Sequence, residues 1–162
     1  MNLKIIKQLN SIYEPLHRQF KELKLTLEKY NFSYSSAGWF NMHSVKHNDD
    51  FINEYFPVPV LSIEGVGDIG LNLDYIFIET TISKEKAECL HLDNFNDYNI
   101  EIYGVRDYLI DYYQPNFEIG IYKEKIHESP EKEFHFTINL PQGISMNEII
   151  DVISKLKNYQ II

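Results

Sequence analysis

The sequence predicts an α+β fold: one mostly antiparallel sheet of about five to six strands, with an N-terminal helix kinked near Pro15 and a C-terminal helix packed on one face. Three observations predict it. Apolar residues recur at helical spacing near the two ends of the chain, and between them the period changes to two. Strands are not interleaved one-for-one with helices, which argues against a doubly wound parallel sheet. At 162 residues the chain fits a single domain, 1–162, able to bury about 70% of its unfolded surface without a disulfide or a metal.

The first thirty residues carry Ile5, Leu9, Ile12, Leu16, Phe20, Leu23 and Leu27 at three- and four-residue steps, one apolar stripe of a helix. Lys7, Arg18, Lys21, Lys24 and Lys29 lie largely off it. Pro15 cannot donate the interior hydrogen bond, and the register of the stripe survives across it, so a kink is expected rather than a break. The helix should end near Tyr30-Asn31. Residues 31–56 are harder to read. Ser33 to Phe40 suits a strand entered through a turn, and His43 to Phe56 fits either a short helix or a loop.

Val58 to Glu64 reads as a strand whose start, with Pro57 and Pro59, belongs at a sheet edge. Leu73 to Ile82 is rich in β-formers and apolar on both faces, the strongest strand of the chain. Tyr98, Ile100 and Ile102 alternate with Asn99, Glu101 and Tyr103. Phe117–Ile126 and Phe134–Leu140 suggest a hairpin across a polar loop that contains Pro130. Ser83–Leu92 suits a short helix capped by Ser83 or a strand extension. Ser145-Met146-Asn147-Glu148 is a capping box, and Ile149, Ile150, Ile153 and Leu156 continue it as an amphipathic helix.

Charge is the most informative bulk property. The formal net charge is −9, distributed unevenly. Residues 1–47 hold seven Lys or Arg against three Asp or Glu, whereas residues 48–118 hold three against fifteen. Such an acidic middle repels phosphate backbones, so nucleic-acid binding is not expected and a basic partner is. The single cysteine, Cys89, excludes an internal disulfide and is expected to be an inert, partly buried thiol. With no signal-peptide pattern at the start and no apolar run of membrane-spanning length, the expected setting is the cytoplasm, without membrane attachment.

Several motifs point to chemistry that their surroundings do not support. Gly65-Val66-Gly67-Asp68-Ile69-Gly70 matches the dinucleotide fingerprint. That fingerprint needs a helix to begin at the glycines, and Leu71 leads into a strand, so a glycine-rich hairpin loop is the better reading. His43 and His47, followed by Asp49 and Asp50, would share a helix face and suit a metal, which gives an alternative reading as a metal-dependent hydrolase or small-ligand-binding protein. The pattern lacks an intervening general-base Glu and an identifiable third ligand, so an exposed polar stretch is the simpler reading. No local nucleophile motif and no cofactor motif is present.

The segment from Asp93 to Tyr112 interleaves acids and tyrosines: Asp93, Asp97, Tyr98, Glu101, Tyr103, Asp107, Tyr108, Asp111 and Tyr112. Tyrosine supplies large contact area at little entropic cost, and carboxylates steer a cationic partner. These nine residues are the candidate partner-binding set of a non-enzymatic, immunity-protein-like module for a basic protein. A solvated acidic face with Tyr rings along a sheet edge is the plainer alternative. The basic first helix could also pair with the acidic middle of a second copy, as a homodimer.

Overall fold

The structure is a computed structural model, and it describes residues 3–41, 57–72, 75–91, 95, 97–104 and 126–160. Its elements run α1 (Leu3–Lys29), β1 (Tyr34–Asn41), β2 (Pro57–Ile63), β3 (Gly67–Leu71), β4 (Tyr75–Ser83), α2 (Lys84–Cys89), β5 (Asn99–Gly104), β6 (Glu133–Pro141) and α3 (Met146–Gln160). All six strands form one sheet in the order β1-β2-β3-β4-β6-β5, each neighbouring pair antiparallel. This is the α+β architecture that the periodicity predicts.

Strand alternation sends one set of side chains to the helices. Leu61, Ile63, Ile69, Leu71, Ile76, Ile78, Ile82, Ile100, Ile102 and the even-numbered residues of β6 join Leu16, Leu23 and Leu27 of α1 in one core. From α3 come Ile149, Ile150, Val152, Ile153 and Leu156. Phe95 meets Phe136 edge-on with ring centroids 6.1 Å apart, the geometry the ring quadrupoles favour.

Helix α1 contains Pro15 and continues through it. Asn31, at φ 59°, ends it in the left-handed conformation that asparagine tolerates. The Phe32 amide donates to the Leu27 carbonyl at 2.9 Å and the Asn31 amide to the Glu28 carbonyl at 3.1 Å, the paired bonds of a Schellman stop. At α3 the expected capping box forms. The Glu148 amide donates to Ser145 Oγ at 3.2 Å, and the Ser145 amide donates to Glu148 Oε2 at 2.9 Å. The hydrogen bonds from Ser145 hold the Glu148 carboxyl below the usual carboxylate range.

Three local questions left by the sequence are answered. Ser83 does cap a helix, accepting from the Lys86 amide at 3.3 Å. Pro57 and Pro59 pair with β1, while β3 pairs with β2 only over Val60 to Ile63. The prolines thus lie where β2 has a neighbour on one side, which agrees with their expected edge position. Cys89, expected to be partly buried, is exposed. The short helix turns Ala87 to the core, and a residue two positions on points elsewhere.

The expected hairpin between residues 117–126 and β6 is not the pairing that forms. Both edges of β6 are taken, by β4 through Thr80 opposite Phe136 and by β5 through Ile102 opposite Phe136. Residues 126–128 are helical, and residues 117–125 lie outside the described residues. The polar loop before β6 is tied to α2 instead: the Lys84 ammonium donates to the carbonyls of His127 at 2.6 Å and Ser129 at 2.7 Å.

Candidate functional site

The same alternation that fills the core defines the opposite face of the sheet. The six strands contain four carboxylates, Asp68, Glu79, Glu101 and Glu133, and neither Lys nor Arg. Asp68 precedes the core residue Ile69, Glu79 follows Ile78, Glu101 lies between Ile100 and Ile102, and Glu133 precedes Phe134, so by strand alternation all four belong to the opposite face. Among the described residues no helix packs there.

Register brings three of them into one row. Ser62 stands opposite Asp68, Asp68 opposite Glu79, Glu79 opposite Thr137, and Thr137 opposite Glu101. All five are half-buried. Directly opposed like charges such as Asp68 and Glu79 destabilise an antiparallel pair. The neighbouring row holds Thr81, His135 and Tyr103. His135 Nδ1 lies 3.1 Å from Thr81 Oγ1 and 3.9 Å from Glu79 Oε1. On the other side runs Val60, Gly70, Phe77, Asn139 and Asn99. There Val60 and Phe77 form a small second apolar cluster, with Tyr75 packed against it.

Glu101 is the most perturbed carboxylate of the row. Burial raises its pKa, and the hydrogen bond from Asn139 Nδ2, at 3.4 Å, opposes that shift. A carboxyl whose folded pKa is raised contributes stability below its unfolded pKa, and that contribution is lost as pH rises through the folded value. Glu101→Gln is therefore expected to raise the melting temperature at neutral pH, with the advantage fading as pH falls into the carboxylate range. Thermal denaturation across that pH interval checks this. A lower melting temperature at neutral pH would show that the ionised carboxylate is instead favoured in place.

The structure places the sequence-predicted site residues on different sides. Glu101 falls on the acidic face, and Tyr103 pairs with His135 in the register of β5 on β6. Asp97 is exposed in the turn before β5. Tyr98 packs against the helix-side core, and its hydroxyl pKa is raised by burial first, then by the nearby Glu148 and Asp97 charges. Tyr98 thus does not share a surface with Glu101. Asp93, Asp107, Tyr108, Asp111 and Tyr112 lie outside the described residues, as do His43, His47, Asp49 and Asp50. Among the described residues no three His, Cys, Asp or Glu side chains gather as a metal site. Sequence reasoning missed Asp68 and Glu79. The signal that finds them is strand parity, read together with the lack of Lys and Arg from the six described strands.

No protein-family model matches the chain, and no curated protein matches it in sequence. In structure the chain is similar to a conserved hypothetical protein from Pyrococcus furiosus, with a TM-score of 0.60 at 19% identity, over 100% of both chains. That likeness is one of fold.

Proposed function

We propose that this chain is a non-enzymatic binding module that presents the acidic face of its sheet to a basic protein. The observation that supports the reading is the charge sorting of the strands: four carboxylates, no Lys or Arg, and one shared face. Asp68 opposite Glu79 is unfavourable for the isolated domain. A cationic partner relieves that repulsion on docking, and the field of the row raises the rate of encounter. Tyr75, half-buried against Val60 and Phe77 on the same face, supplies the aromatic contact area that interface centres favour. Asp97 in the turn before β5 extends the acidic character toward the sheet edge.

Immunity proteins that neutralise basic nuclease toxins work by the same electrostatic logic, and such a role in the reducing cytoplasm suits a chain with one cysteine. No helix of the described residues is long and apolar enough to cross a membrane.

An affinity capture from the source cell's lysate at low and high salt tests the proposal. The expected result is a basic protein retained at low salt and released at high salt, as screening between exposed charges requires. Recovery of only the chain itself at both salt levels would overturn it in favour of self-association.

A further inference from the structure

Helix α1 borders a cavity unrelated to the acidic face. It has a volume of about 540 Å³ and is lined by Tyr13, Glu14, Leu16, His17, Phe20, Lys24 and Pro59. That volume falls within the range of about 300–1,000 Å³ common to small-molecule sites. The lining follows from helical spacing. Tyr13, His17, Phe20 and Lys24 recur at three- and four-residue steps and so share one side of α1. Pro59 of β2 closes the cavity from the sheet.

Its chemistry is two-sided. Leu16 and Pro59 are buried, and Tyr13 and Phe20 half-buried, so the body of the cavity is apolar and aromatic. Burial raises the pKa of Tyr13, which agrees with a partly desolvated wall. Lys24 marks the polar end, its ammonium 4.5 Å from the centre of the Phe20 ring. That stacking attracts the cation to a fixed place beside the cavity. Among the described lining residues Glu14 is the one carboxylate, and Arg18, outside the lining, lies 3.5 Å from it as an i, i+4 partner. Glu14 is thus engaged by Arg18, which leaves Lys24 as the lining cation that faces a ligand, and His17 adds a ring nitrogen.

We infer that this cavity binds a small amphipathic anion, with an apolar chain or ring against Tyr13, Leu16, Phe20 and Pro59 and a carboxylate at Lys24. The Lys24 ammonium, in a chain of formal net charge −9, selects the anion over a neutral or cationic analogue. The concave shape holds a single molecule, in contrast to the continuous apolar face by which a helix lies on a lipid surface.

Calorimetric titration of the whole chain with decanoate, and separately with decanol, tests the inference. Decanoate is expected to bind saturably at one site, at least tenfold more tightly than decanol. Lys24→Met is expected to weaken decanoate about tenfold and leave decanol unchanged. Lys29→Met, the same charge change at an exposed position on a different side of α1, should alter decanoate affinity by less than twofold. Circular dichroism of each variant confirms that the helix persists. Three outcomes would each overturn the site: no saturable binding, equal affinity for the two probes, or equal losses in the two variants. Binding seen only with vesicles of anionic phospholipid would identify α1 as a membrane-surface helix and also refute it. None of these outcomes bears on the acidic face, which lies on the other side of the sheet.

Discussion

Gly67→Val is expected to cost about 4 kcal/mol of folding stability, combining roughly 1–3 for an essentially glycine-only backbone conformation with roughly 1–3 for overpacking. Gly67 closes the turn between β2 and β3 at φ 135°. A Cβ there would overlap the carbonyl oxygen of Glu79 and lie 2.8 Å from Thr80 Cβ. Backbone on the neighbouring strand cannot yield as a flexible side chain would. A domain of this size holds about 5–15 kcal/mol in all, so the variant stands near the threshold of unfolding. Gly65 is the internal control. At φ 71° its Cβ would find only Lys157 Cγ, at 4.0 Å. Gly65→Ala should then cost about 1 kcal/mol, from backbone strain alone. Urea denaturation of both variants gives the comparison. Equal midpoints would refute the close approach of the turn to β4.

Neutralising the row of carboxylates is expected to have the largest functional effect. The triple variant Asp68→Asn, Glu79→Gln, Glu101→Gln should slow association with the proposed basic partner roughly 10- to 100-fold at low salt, within the range of steered encounters. Its association rate should depend less steeply on salt, because three of the charges that salt screens are gone. Stability should not fall, since the substitutions remove the repulsion between Asp68 and Glu79 and the burial of an ionised Glu101. Weaker binding with intact stability separates a docking surface from a structural one. Stopped-flow association across a salt series measures it. An association rate unchanged from the parent would refute this face as the docking surface.

The elements that were legible in the sequence are those whose signals are local. Glu133 to Pro141 alternates strictly, Phe134, Phe136, Ile138 and Leu140 inward, and the structure follows it residue by residue. Ser145 and Glu148 announce α3 through hydrogen bonds that span three residues. Helix α2, at six residues, is too short to show a helical period, so only Ser83 hinted at it. Strand order was not legible. Neighbours in sequence usually pair, which suggested a hairpin before β6, yet β6 sits between β4 and β5 through contacts across long stretches of chain. The site inherits that difficulty. Asp68 and Glu79 meet through the register of β3 on β4, and Glu101 joins them only because β6 separates β4 from β5.

The contact between the terminal helices bears on how the chain reaches this fold during synthesis. Tyr30 Oη donates to Asn147 Oδ1 across 117 residues of sequence, and the Lys157 ammonium sits 5.1 Å from the centre of the Phe32 ring. The run from β1 to β4 pairs neighbour with neighbour and can assemble early on a ribosome-bound chain. Helix α1 is made first but cannot complete its burial until α3 has emerged. For that interval Leu16, Leu23 and Leu27, all buried in the finished domain, remain partly open to other chains and to chaperones. The non-local docking step also places this domain among slower folders than its helical content would suggest.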